Sequence, residues 1–449
     1  MSRGARNGSG QGNGKVDAAT AAAMLNPSDT LGLPLGPGQP PTFMAALGER
    51  EDWEDLRVYG ALLAVGTELF TRENVHLLSG FYGPFERAIR DAGGNIGFAP
   101  ADFRRFAPLY ERQSPRVMCT AASPPDADGW CSLSLHAGGS LRELFRAGED
   151  PDRLLVVEAA SGFPRTVGLP PEHSHRINVD QVDVLIESDA TPLELPSAEP
   201  SETDRAIAEN AVRFVDSGCT IQTGIGAVPN VIAGILAEGA VGDLGVHSEM
   251  FTDGLMRLHQ SGAVSNGRKG IYDGVSVTTF AFGSKELYEW LDGNEDVAFL
   301  PVEIVNSPEV IARNRRMISI NGALAVDVHG QVVADTINAR QFSGIGGHED
   351  FAAGSGLELE DRSLLCLPST VTIDGRRRSR IVPCFERGAV VTTPRHQVDV
   401  IVTEYGAAEL EGLTVHQRGM ELAKVAHPDF RREIEEAAER ASRGEAPFV

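Results

Sequence analysis

The chain has 449 residues, 42% of them hydrophobic and 23% charged, with a formal charge of -23. That length exceeds what one hydrophobic core usually serves and predicts two domains of roughly 200 residues each. The acidic balance argues against a nucleic-acid partner, which needs a basic face for phosphates. No apolar run reaches the ~20 residues of a membrane span.

The five cysteines form no CxxC pair and leave an odd count. They predict reduced thiols in a cytoplasmic protein and no zinc site. Along the chain, residues 1–14 are rich in Gly, Ser and Asn and lack the apolar core of a secretory signal;. A disordered tail is expected over 1–30, with helix-forming residues at 18–25. Apolar segments at 56–65, around 76–78, and at 116–121, 154–158 and 182–187 predict buried strands. Residues 191–202 carry three prolines and no apolar periodicity, the best linker in the chain;. It divides an N-terminal domain, 31–195, from a C-terminal one, 196–449.

After the linker, Ser201 or Thr203 can cap a helix with Ile207, Ala211, Val212 and Val215 on one face. A short strand at 220–223 enters Gly224-Ile-Gly-Ala-Val-Pro-Asn, and Pro229 suits the first turn of the next helix;. The strand-turn-helix pattern repeats at Glu249 and at 297–305. Asn306-Ser-Pro-Glu309 reads as a helix start with Asn306 as its N-cap. Residues 318–328 and 331–336 read as a hairpin across His329-Gly330, and a charged-faced helix closes the chain at 428–443. The whole predicts an α/β fold with largely parallel sheets.

Glu249 lies in Leu244-Gly-Val-His-Ser-Glu-Met-Phe-Thr-Asp-Gly, where apolar residues give way to polar ones. Glycine-rich segments stand on both sides in sequence: Gly224 to Val228, and Ser343-Gly-Ile-Gly-Gly-His-Glu-Asp-Phe. A carboxylate at a strand end, beside loops with exposed N–H groups, suits a nucleophile next to anion sites. A helix N-terminus just after Glu249 would keep it ionised. Taken alone, the segment also fits Glu249 or Ser248 as a plain helix cap. Asn306 combines the cap reading with that of an amide donor to a carbonyl oxygen. The histidines show no metal spacing, and Arg376-Arg-Arg378 with Arg380 reads as a solvated loop or a phosphate contact.

Together these segments resemble the acetyl-CoA hydrolase/transferase family from about residue 36 to 432. The likeness is carried by Gly36-Pro-Gly-Gln-Pro, Ser123-Pro-Pro-Asp-Ala-Asp-Gly-Trp, Phe163-Pro-Arg-Thr, Gln222-Thr-Gly-Ile-Gly-Ala-Val-Pro-Asn and His247-Ser-Glu-Met-Phe-Thr-Asp-Gly. Gly346-Gly-x-x-Asp-Phe, Arg380-Ile-Val-Pro, Val391-Thr-Thr-Pro-Arg-His, Val402-Thr-Glu-Tyr-Gly and Ala426-His-Pro-Asp-Phe continue it in order. The resemblance implies two CoA-transferase-type α/β domains with the active site between them. It implies Glu249 as the nucleophile that becomes a glutamyl-CoA thioester, with Asn306 and Gly347 completing the catalytic group. It sets Gly224, Ile225, Gly226, Ala227, Val228, Gly346 and Gly347 against CoA or the acyl oxygen, and Gln39 toward the acyl group.

Coenzyme A enters this reading as part of the substrates, acyl-CoA and a short-chain carboxylate, with no tightly bound cofactor and no metal. A homodimer is implied. Thioester hydrolysis and non-catalytic CoA binding are the alternatives on the same scaffold. This chain departs from the family at His348, where Gln is common, and at 369–375, where a lysine is absent and Arg376 to Arg378 stand nearby. Phe81-Tyr-Gly-Pro-Phe is also unusual, so acyl specificity cannot be copied from a relative.

Overall fold

The computed structural model describes residues 15–195 and 199–445; the segment 1–14 and part of the linker lie outside the described residues. Two sheets organise the chain. The first has seven strands in the order Ile96–Phe98, Val75–Ser79, Asp55–Gly60, Ser28–Gly32, Val117–Ala122, Leu154–Ala160, Val184–Ser188, every pairing parallel. The second has six, in the order Gly245–Val246, Thr220–Thr223, Met317–Gly322, Arg362–Cys366, Val400–Thr403, Gly406–Glu409, with only the last pairing antiparallel. In each sheet the chain adds strands outward from its first strand and then returns to that strand's other side. The reversal leaves a crevice at the carboxyl ends of the first strands, the usual ligand position in such sheets.

Burial on both faces explains the unbroken apolar runs: all six residues of Val117–Ala122 are buried;. One continuous core runs from Met118, Leu155 and Val157 of the first sheet to Ile221, Ile318 and Leu364 of the second. Phe103 packs edge-on against Phe280 across the two halves, with ring centroids 6.1 Å apart. Each such side chain, once fully buried, stabilises the fold by ~1.5–3 kcal/mol. A second core lies under the helix Pro41–Glu49, around Phe43, Met44 and Leu47. Ser201 caps the helix Glu202–Ala211 in a reciprocal pair with Asp204;.

Several expectations change. Residues 15–30, assigned to the tail, hold the helix Ala18–Ala22 and the first part of the central strand Ser28–Gly32, with Ala21, Ala22 and Leu25 buried. The apolar run 56–65 leaves the sheet at Gly60, because Glu86 accepts from the Leu63 N–H at 2.7 Å and Gln39 from the Ala64 N–H at 2.9 Å. Those side chains satisfy backbone groups that a strand would have paired. The expected hairpin is shorter. Met317–Gly322 belongs to the second sheet, and only Ala325–Asp327 turns back, onto Val332–Val333. Arg376 to Arg378 lie on an exposed hairpin strand, Arg376–Ser379, paired with Thr370–Ile373 across Asp374-Gly375.

Candidate active site

Glu249 stands between the short strands Gly245–Val246 and Met250–Phe251, next to the strand Thr220–Thr223. Its backbone is pinned: the Glu249 carbonyl accepts from the Thr279 N–H at 3.0 Å and from the Thr278 hydroxyl at 3.0 Å. Ser248 is buried and donates its hydroxyl to the Met250 carbonyl at 2.8 Å and to the Thr223 carbonyl at 3.2 Å. His247, fully buried, donates Nε2–H to the Val305 carbonyl at 2.8 Å, which ties this strand to the turn carrying Asn306. Burial pushes the His247 imidazole down to about 3, so it stays neutral.

The Glu249 side chain lies against Asn306 and the backbone of Gly346 and Gly347. Asn306 donates Nδ2–H to Oε2 at 2.6 Å. The backbone N–H of Gly347, close against the carboxyl, favours its ionised form. A Cβ on Gly347 would lie 1.9 Å from Oε2 and 2.4 Å from Asn306 Nδ2, so only glycine fits there. Gly346 has φ +57, and a Cβ there would fall 3.7 Å from Glu249 Oε1. Burial raises the Glu249 carboxyl to about 8, against the pull of the Asn306 bond and with the push of nearby Asp350.

That rise corrects the expectation that a helix N-terminus keeps Glu249 ionised. The next helix, Asp253–Gln260, has Thr252 at its N-cap position, three residues beyond Glu249, so neither Glu249 nor Ser248 is its cap. Enclosure therefore dominates its ionisation. Asn306 is likewise no N-cap. It ends the turn Val302–Val305, Ser307 precedes the helix Pro308–Ile311, and the amide faces inward, fully buried.

Two residues with no assigned role in the sequence reading join the cluster. Asp350, fully buried, accepts from Asn306 Nδ2 at 2.9 Å and from Arg104 Nη1 at 2.6 Å. Arg104 comes from the first half, where the Phe103 N–H also donates to the Gly346 carbonyl at 2.9 Å. Burial raises Asp350 to about 6, with Arg104 and Asn306 pulling it back down. Asp350 stood inside the Gly346-Gly-x-x-Asp-Phe motif, but nothing in the sequence pointed to Arg104 as its partner.

The upstream turn is placed differently. Gly226 has φ +127 and precedes the helix Ala227–Glu238 without a side-chain cap; Ile225 is 57% exposed. Among the described residues, none of Gly224, Ile225, Gly226, Ala227 and Val228 hydrogen-bonds Glu249; the link runs through Thr223 and Ser248. Gln39 does not present a free amide: it accepts from Ala64 and donates to the Pro34 carbonyl at 3.1 Å, bracing the loop. His348 is buried against the Thr393 hydroxyl at 2.8 Å. Among the described residues there is no group of three His, Cys, Asp or Glu fit for a metal, and no helix long and apolar enough to cross a membrane.

Proteins similar to this chain in sequence include CoA transferases and acetyl-CoA hydrolases. A family model for the acetyl-CoA hydrolase/transferase C-terminal domain matches residues 283–438. The chain is 35% identical to the 4-hydroxybutyrate coenzyme A transferase of Clostridium kluyveri, over 77% of this chain and 78% of that one. It is 33% identical to the succinyl-CoA:cyclohexane-1-carboxylate CoA transferase of Geobacter metallireducens, over 94% of each. The crystal structure of RipA from Yersinia pestis superposes with a TM-score of 0.86 at 30% identity, covering 95% of this chain and 97% of that one.

Proposed function

The chain belongs to the acetyl-CoA hydrolase/transferase family and is a CoA-transferase, and on that footing we propose that it works through a glutamyl-CoA thioester on Glu249. The donor is an acyl-CoA, acetyl-CoA in the first place, and the acceptor a short-chain carboxylic acid. The observation that carries this reading is the Glu249 carboxyl held at 2.6 Å by the Asn306 amide and pressed against Gly347.

The Glu249 carboxylate attacks the thioester carbonyl. The new C–O bond leaves a tetrahedral oxyanion, for which the Gly347 N–H and the Asn306 amide are the nearest donors. Collapse breaks the C–S bond and gives an acyl-glutamyl anhydride and CoA thiolate. The thiolate attacks the glutamyl carbonyl, forms the glutamyl thioester and expels the first carboxylate. An incoming carboxylate runs the same steps in reverse, so the kinetics are ping-pong. A raised carboxyl pKa makes the ionised form a stronger nucleophile while lowering the fraction ionised at neutral pH. The Gly224 to Val228 turn fits this scheme as a holder of the CoA moiety at a distance, its N–H groups uncapped at a helix start;. Binding energy gained there is available at the reacting carbon.

The relatives named above act on different acids, so the acceptor here is assigned only as a short-chain carboxylate. A cytoplasmic homodimer belongs to the same reading, and a monomer mass by sedimentation would remove the dimer. The central test is incubation with acetyl-CoA followed by borohydride and peptide mapping. A reduced adduct at Glu249, lost in Glu249→Ala, is the expected result; an unlabelled Glu249, or an active Glu249→Ala, ends the proposal. Turnover that needs an added carboxylate distinguishes transfer from hydrolysis.

A further inference from the structure

We propose that Asp350 and Arg104 are positioning residues for this site. Asp350, held by Arg104 from the opposite half, locks the Asn306 amide so that its N–H end faces Glu249. The inference rests on the glutamyl reading above and extends it to residues that never touch the substrate.

An asparagine amide has a donor end and an acceptor end of nearly equal size, and rotation exchanges them. Glu249 alone cannot hold the donor end in place through the cycle. It begins as a carboxylate, a strong acceptor, and becomes an anhydride and then a thioester, both weak ones. An oxyanion donor acts well only if its direction is set before charge develops. Asp350 supplies an acceptor that persists through every step: its Oδ2 lies 2.9 Å from Asn306 Nδ2 while Glu249 Oε2 lies 2.6 Å from the same nitrogen. Rotating the amide would turn its oxygen onto two carboxyl groups at once. The Asn306 Oδ1 is buried with no hydrogen-bond partner, so the donor side alone dictates the orientation.

Asp350 is in turn fixed from two directions by one residue. Arg104 Nη1 donates to Oδ1 at 2.6 Å, and the Arg104 backbone N–H donates to Oδ2 at 3.2 Å. Asp102 holds the same guanidinium at 3.0 Å. The chain from Asp102 through Arg104, Asp350 and Asn306 to Glu249 is a run of direct contacts crossing from the first half into the second.

The test is a double-mutant cycle on exchange kinetics, run on full-length protein whose wild-type form has first been shown to label at Glu249. Failure of that labelling counts against the glutamyl reading; the cycle addresses the positioning alone. Asn306→Ala is expected to lower kcat by ~10²–10³-fold, as for loss of an oxyanion donor. Asp350→Asn is expected to lower kcat by on the order of ten- to a hundredfold with the acyl-CoA KM nearly unchanged. The double variant should be no slower than Asn306→Ala, because Asp350 acts only through that amide. Losses that multiply, or wild-type exchange in Asp350→Asn, overturn the proposal. Should Asp350→Asn fail to fold, Arg104→Gln takes its place at a partly exposed position, with a smaller loss and the same two overturning outcomes.

Discussion

Two helices start at corresponding places in the two sheets, each after the strand where the order reverses, and they are finished differently. In the first half, the helix Pro41–Glu49 points its free N–H groups at a buried acid: Thr42 and Phe43 donate to Glu158 Oε2 at 2.9 and 3.0 Å. Ser188 adds its hydroxyl to the same carboxyl at 2.7 Å. In the second half, the helix Ala227–Glu238 begins at Gly226 with no side-chain cap, beside an exposed Ile225. The orphan donors of a helix start attract an anion in either place. One half satisfies them with its own carboxyl; the other leaves them without a side-chain cap, at the place proposed above for the CoA moiety.

This contrast can be broken at several points, the largest effect first. Glu249→Ala should lower exchange by on the order of 10⁴-fold or more; retention of more than a small fraction in a steady-state assay would return the second half to scaffold as well. Gly347→Ala should cost ~10²-fold in kcat, since its Cβ would fall 1.9 Å from Glu249 Oε2. Gly226→Ala is strained at φ +127 by ~1–3 kcal/mol, and its acyl-CoA KM should rise several-fold. An unchanged KM would mean that the open helix start holds nothing.

Glu158→Gln is the matching change in the first half. It should destabilise by ~1–3 kcal/mol in chemical denaturation while leaving the KM for acyl-CoA alone; a raised KM would place the scaffold acid in the binding machinery. The smallest effect is on thermal stability. Glu249 is raised from 4.5 to about 8 in the folded chain, so folding favours its protonated form and stability falls as pH rises between those values;. Glu249→Gln should therefore raise Tm by a few degrees at about pH 9 and hardly at all at about pH 4. The same titration predicts that wild-type kcat/KM climbs with pH toward a limb near 8. A flat profile would contradict the enclosure of that carboxyl.

The alternation of strands and helices was legible because parallel strands buried on both faces need unbroken apolar runs, and Val117–Ala122 and Leu154–Ala160 supply them;. The run at 56–65 misled for the same reason. It is apolar apart from Arg57, and the side chains of Glu86 and Gln39, distant in sequence, divert its second part from the sheet. Within the site, Glu249 and the double glycine could be picked out from local composition. The ionisation of Glu249 could not, because the groups that enclose it come from three other segments. Arg104 was invisible: its meaning depends on Asp350, 246 residues away, and an arginine before another arginine reads as surface.

That long reach has a consequence for how activity arises during synthesis. The two glycines, the amide and the Glu249 carboxyl come from separated stretches of the second half, and the guanidinium joins them only when the first half has closed on it. Contacts of such separation form late, after local helices and neighbouring strands. On refolding from denaturant, catalytic competence should trail the return of far-ultraviolet circular dichroism. A partly folded chain then carries an ordinary, solvated glutamate, and under the proposed mechanism acyl-CoA would meet a reactive one only in the finished molecule.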